Sequence, residues 1–103
     1  MQTVAVFFGG KSNEHDISVI TGMFCVNLLR NSDYRVIPVY LPREGGMQLA
    51  SVDGVEDFRA PDKSKFQPVI LVGRELRHSK KRRKKIAIDC ALNCCHGGAG
   101  EDG

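Results

Sequence analysis

The sequence predicts an α/β fold, a mainly parallel sheet flanked by helices. Two stretches carry that reading. The first opens the chain: Val4-Ala5-Val6-Phe7-Phe8 is an unbroken apolar run, as expected of a strand buried on both faces. It ends at Gly9-Gly10, and apolar residues then return at helical spacing at Ile17, Ile20, Phe24 and Leu28. The second is Ile86 to Cys94, another apolar run that leads into a second glycine-rich polar loop, Cys95-His96-Gly97-Gly98-Ala99-Gly100. In an open α/β sheet, ligands bind outside the carboxyl ends of the strands, so these two loops are the candidate site.

Taken in order, the first strand spans Val4 to Phe8, and a helix runs from about Asn13–His15 to Arg30 or Asn31. Ser12 or Asn13 supplies the cap oxygen, while Glu14 and Asp16 suit the positive end of the helix dipole. Gly22 lies inside the helix, where glycine costs about 1 kcal/mol against alanine, so a close approach to a strand is expected there. Asn31-Ser32-Asp33 is a turn, and Tyr34 to Leu41 is the second strand. Pro38 within it has no N–H and argues for an edge position or a bulge. Pro42 to Gly46 is a tight turn, and Met47 to Val52 returns as a hairpin arm. A short helical turn is expected at Val55 to Arg59 and a strand at Pro68 to Val72, with Gly73 to Lys85 as a basic connection. Ile86 to Cys94 is the last strand.

At 103 residues the chain forms a single domain, 1–103. Its 42% hydrophobic and 26% charged residues are ordinary for a globular protein. No apolar stretch is long enough to span a bilayer, and the start has no basic region ahead of its short apolar run, so the expected location is cytoplasmic. The cysteines Cys25, Cys90, Cys94 and Cys95 read as reduced thiols acting as small buried hydrophobes. Residues 74 to 85 hold eight basic side chains against Glu75, a local charge of +7 in a chain of net +3. No aromatic residue lies among them to stack on bases, so Lys80 to Lys85 reads as a solvated loop, without nucleic acid as a partner.

Gly9-Gly10 resembles a phosphate-binding turn, but both the dinucleotide fingerprint and the P-loop pattern are absent, and Glu14 opposes a phosphate. An acid there suits an amine. Alone, Glu14 reads as a solvated helix-start carboxylate and His96 as a turn cap. Two strand-end loops on one sheet edge bring both groups to one crevice, where they suit a small substrate bearing an ammonium and a carboxylate. Cys90, Cys94, Cys95 and His96 match no zinc spacing, so no metal site is expected.

Val4 to Ser18 resembles the amino-terminal signature of D-alanine–D-alanine ligases. His96-Gly97-Gly98-Ala99-Gly100-Glu101-Asp102-Gly103 resembles the same family's H-G-x-x-G-E-D-G signature. The match covers both ends of the chain, while residues 45 to 85 carry little of it. The resemblance implies a Rossmann-like pre-ATP-grasp domain, a fragment of a longer chain with the remaining ATP-grasp domains absent. It implies an ATP-dependent ligase that makes the D-Ala-D-Ala dipeptide for peptidoglycan through an acyl phosphate. Glu14 then matches the catalytic, substrate-binding acid that holds the first D-alanine's ammonium. Ile17 matches the apolar residue beside that substrate's methyl, and His96 a histidine beside its carboxylate. ATP and Mg²⁺ would serve the full-length enzyme, with none bound to this fragment. The Mg²⁺ ligands, ATP-clamping sheets and lid would lie beyond Gly103, and the fragment alone is expected to be inactive. D-alanine is the implied partner, with a homodimer in the full-length enzyme. The alternatives are a ligase taking D-lactate or D-serine second, or a free-standing α/β module that binds an amino acid or nucleotide.

Overall fold

β1 (Gln2–Gly9) is buried along almost its whole length because it has a parallel neighbour on each side. The computed structural model describes residues 1–52, 54–59, 62–79 and 84–95. After β1 come α1 (His15–Arg30), β2 (Tyr34–Leu41), β3 (Gln48–Ala50), α2 (Glu56–Arg59) and a 3-10 turn at Lys63–Lys65. β4 (Phe66–Val72), β5 (Glu75–His78), β6 (Lys85–Ala87) and β7 (Cys90–Asn93) follow among the described residues. The strand order is β6-β5-β4-β3-β2-β1-β7. β1 pairs in parallel with β2 over its full length and with β7 from Val4 to Phe7. The other four pairings are antiparallel. The α/β class therefore holds, and the sheet is mixed: parallel around β1, an antiparallel meander beyond β2.

Alternation along β1 feeds two cores. Val4, Val6 and Phe8 face α1, packing with Val19, Met23 and Val26, and with Ala50, Val52 and Cys94. Ala5 and Phe7 face the other way, into a cluster with Val39, Val69, Leu76 and Ile88. Each large aliphatic or aromatic side chain so buried is worth about 1.5–3 kcal/mol. The meander encloses this second cluster because the sheet curls. Seven strands laid flat would span about 29 Å between the outermost axes. Only Ile88 and Asp89 separate β6 from β7 in sequence, and that connection reaches about 11 Å at most, so the two ends of the strand order must lie close together. Asp89 fastens the closure. Its carboxylate accepts the Thr3 N–H at 2.7 Å, its own N–H reaches the Thr3 carbonyl at 2.9 Å, and its carbonyl accepts Arg74 Nη2 at 3.0 Å.

Four expectations change. The stripe Ile17, Ile20, Phe24 and Leu28 faces outward; Phe24 is 67% exposed, and the buried face is Ser18, Val19, Gly22, Met23 and Val26. Pro38 lies inside the sheet, opposite Val6, and is tolerated because β3 pairs only with Val39 and Tyr40, one residue further on. The expected last strand is two strands, broken at Ile88-Asp89 where the chain crosses from one end of the curled sheet to the other. The basic connection contains β5, which pairs with β4 through a turn at Gly73-Arg74 and buries Leu76. Lys80 to Arg83 of the basic run lie outside the described residues.

Gly22 is explained by contact. A Cβ there would stand 2.4 Å from Phe8 Cβ, and Phe8 is fully buried in the strand and has no room to yield. Gly22→Ala should lower stability by about 1–3 kcal/mol through overpacking, despite alanine's better helix propensity. A urea denaturation midpoint at or above that of the unsubstituted chain would contradict the contact.

Candidate functional site

The parallel pairing of β1 with β7 sets the carboxyl ends of both strands side by side, and one buried hydroxyl ties them. Ser18 Oγ, on the inward face of α1, accepts the Gly9 N–H at 2.8 Å and donates to the Cys94 carbonyl at 2.7 Å. The Cys94 N–H in turn reaches the Phe7 carbonyl at 2.7 Å. Strand β1, helix α1 and the end of β7 are thus fixed to one another at the point where the two loops leave the sheet.

The turn after β1 is pinned in the same way. Gly9 and Gly10 have φ of 97° and 98°, the left-handed region that disfavours any side chain. At Gly9 the space is also closed, since a Cβ would meet the Leu41 carbonyl oxygen at 2.4 Å. The Gly10 N–H donates to that same carbonyl at 2.7 Å. The Gly10 carbonyl accepts His15 Nδ1 at 2.6 Å, and His15 Nε2 lies 2.9 Å from the Tyr40 hydroxyl. A carbonyl only accepts, so Nδ1 donates to it, and the Tyr40 hydroxyl, able to donate, serves Nε2. Burial pushes the Tyr40 phenol above its usual pKa, with Glu44 adding to the rise, which keeps the hydroxyl a donor. The His15 ring stands edge-on to Tyr40, with ring centres 5.5 Å apart.

Glu14 follows directly. It occupies the cap position of α1, without the side-chain cap expected from Ser12 or Asn13. Ser12 acts elsewhere: its hydroxyl accepts the Glu14 N–H at 2.9 Å and its carbonyl the His15 N–H at 3.1 Å. The Glu14 carbonyl accepts the Ser18 N–H at 2.9 Å. The backbone of Glu14 is held at both polar groups while its carboxylate stays exposed to solvent. Ile17, one turn further on, is also exposed, at 56%. His96 lies outside the described residues. The chain is described up to Cys95, whose N–H bonds Asn93 Oδ1 at 2.9 Å and whose sulfur would lie 4.0 Å from a Cβ at Gly10. A cleft of about 390 Å³ opens beside the turn, lined by His15, Asp16, Val19, Ile20, Tyr40 and Phe58.

Comparison with known proteins settles the family. The family model described as D-ala D-ala ligase N-terminus matches residues 3–103. The chain belongs to this family. It is 35% identical to a D-alanine–D-alanine ligase of Leptospira interrogans and 33% identical to one of Thermosipho melanesiensis. Each alignment covers 100% of this chain and 30% of the relative, so the chain spans about a third of the ligases it matches, at their amino-terminal end. The structure of the D-alanine–D-alanine ligase from Coxiella burnetii superposes with a TM-score of 0.80 at 27% identity, over 100% of this chain and 31% of that one. The VanG D-Ala:D-Ser ligase of Enterococcus faecalis shares the fold, with a TM-score of 0.82 at 21% identity, over 99% of this chain and 31% of that one.

The sequence reading named Glu14, Ile17 and His96 and did not name Ser18, His15 and Tyr40, which the structure places around the turn. The signal for Ser18 and His15 was present: positions 15, 18, 19, 22, 23 and 26 form a second stripe at helical spacing, polar where it meets the turn. Among the described residues, no group of three His, Cys, Asp or Glu side chains is placed to hold a metal ion. The four cysteines are free thiols, as expected, but not uniformly buried: Cys90 is exposed. Burial, with hydrogen bonding to Cys25, pushes the Cys94 thiol up to about 12, and burial also raises Cys95. Thiolate is the reactive form, so native-state alkylation with iodoacetamide at mildly alkaline pH should modify Cys90 first and Cys94 last. Peptide mass mapping of a time course reads this order, and equal rates at all four would refute it.

Proposed function

We propose that this chain is the single amino-terminal domain of an ATP-dependent D-alanine–D-alanine ligase and holds the first D-alanine. The observation that carries the reading is Glu14: an exposed carboxylate on a backbone fixed at both polar groups, at the carboxyl end of a buried strand, beside the chain that runs into His96. In that role the Glu14 carboxylate accepts hydrogen bonds from the ammonium of D-alanine. Ile17 provides apolar contact for its methyl, and the role beside its carboxylate is assigned to His96 by the family resemblance. In the reaction a phosphoryl group from ATP, with Mg²⁺, converts that carboxylate to an acyl phosphate, and the second D-alanine's amine then displaces phosphate to form the dipeptide for peptidoglycan. Holding the ammonium fixes which end of the substrate is presented for phosphorylation.

The described residues offer no set of side chains suited to Mg²⁺, and Glu14 repels phosphate at the one glycine turn that resembles a cradle. The family resemblance assigns ATP, Mg²⁺ and the choice of the second substrate to the rest of the ligase. The reading places the enzyme in the cytoplasm, where ATP is available. In the full-length ligase Glu14→Gln removes a charge-assisted hydrogen bond worth about 1.5–3 kcal/mol. The KM for D-alanine should rise roughly tenfold to a hundredfold, with kcat changed far less. Wild-type kinetics in this variant would overturn the assignment of Glu14.

The same reading includes a homodimer. Its support is the outer face of α1, where Ile20, Phe24 and Leu28 are each more than half exposed. Contiguous apolar surface of this kind marks an interaction site, and a second copy covers it symmetrically. Phe24→Glu leaves the core untouched, since the side chain points outward. Sedimentation velocity of the full-length ligase should show a dimer for the wild type and a monomer for the variant; a monomeric wild type would dismiss the dimer.

A further inference from the structure

His15 is a buried imidazole adjacent in sequence to the proposed ammonium-binding acid, and the chemistry assigned to Glu14 makes no use of it. It is 4% exposed and both ring nitrogens are engaged. Accepting the reading of Glu14 above, we infer that His15 and Tyr40 are positioning residues that hold the turn carrying Glu14 in its substrate-binding geometry.

The geometry runs through consecutive contacts. Tyr40 stands near the end of β2, held in an aromatic cluster with Phe8, Phe58 and Phe66 at centre distances of 5.0–5.9 Å. Its hydroxyl donates to His15 Nε2, and His15 Nδ1–H donates to the Gly10 carbonyl. Gly10 is therefore bonded at its carbonyl by His15 and at its N–H by Leu41, the residue after Tyr40. Both restraints originate in β2. The four residues from Gly10 to Asn13 have no strand or helix to order them. Ser18 fixes the first turn of α1 to the sheet, and the two hydrogen bonds from β2 set the path of the irregular turn that leads into Glu14. Misplacing a binding group by about 1 Å is enough to weaken a preorganised site severely.

Tyr40→Phe tests this with little disturbance, because the ring keeps its aromatic neighbours and loses only the hydroxyl. In the full-length ligase, acyl-phosphate formation can be trapped as the hydroxamate with hydroxylamine, which reads the first D-alanine alone. Tyr40→Phe should raise the KM for D-alanine about three- to tenfold, the range expected for one lost neutral hydrogen bond, with kcat within about twofold of wild type. His15→Asn keeps a donor for the Gly10 carbonyl and should stay closer to wild type than His15→Ala. In a Glu14→Gln background Tyr40→Phe should add no further rise, because it acts through Glu14. Hydrogen exchange reads the brace without substrate: Tyr40→Phe should speed amide exchange at Gly10 to Glu14 several-fold. An unchanged KM, an equal rise in the Glu14→Gln background, or unchanged exchange over these residues would each overturn the inference. Wild-type KM in Glu14→Gln alone would sink the parent reading, and the exchange result would still decide whether the brace exists.

Discussion

The hydroxyl of Ser18 is the contact on which the arrangement of this domain turns. It is fully buried, accepts from the Gly9 N–H and donates to the Cys94 carbonyl, so it bonds one strand end and the chain leaving another from a single atom on the helix between them. Hydroxyls are suited to this because one oxygen both donates and accepts. Without it two buried backbone groups would lack a partner, each at a cost of about 1–3 kcal/mol. The parallel register of β1 and β7 makes such a bridge possible, since only parallel neighbours bring two carboxyl ends to the same side.

Close packing on the inner face of α1 explains its outer face. Gly22 lies against Phe8, and Ser18 and Val19 are the neighbouring inward residues, so the helix sits low on the sheet there, with His15 and Met23 the larger residues on its buried face. The larger apolar residues, Ile17, Ile20, Phe24 and Leu28, are left on the outside. Read from size alone, those four look like the core-facing stripe. The helix has two stripes at the same spacing, and volume points to the wrong one.

Local signals in the sequence located the early elements, although the helix cap expected from Ser12 or Asn13 is replaced by Glu14. The boundaries of β1, α1, β2 and the Pro42 turn follow from apolar runs, glycines and prolines within a few residues. What could not be read depends on the curl of the sheet. Ile86 to Cys94 looks like one strand because its apolar run is continuous; it is split because the two halves pair with partners at opposite ends of the strand order. β5 hides inside a basic segment because four residues are too few to show alternation. The site divides along the same line. Glu14 stands out as an acid at a strand-end loop, whereas the His15–Tyr40 bond joins residues 25 apart and becomes visible only once β2 lies beside β1.

The position of β1 between β2 and β7 has a consequence for synthesis. It is the first strand made, yet its second neighbour is supplied by residues 90–93, with Val4 pairing Cys90 86 positions later. At translation rates of about 5–20 residues per second, the most apolar strand of the chain waits several seconds with one hydrogen-bonding edge open. During that interval the nascent domain exposes a Val-Ala-Val-Phe-Phe edge of the kind that recruits other strands. Long-range closure of this sort also slows folding, since the loop entropy must be met before the pairing is gained. The two strand-end loops meet only once β7 lies beside β1, so the crevice between them forms late, well after the Gly9-Gly10 turn has closed against β2.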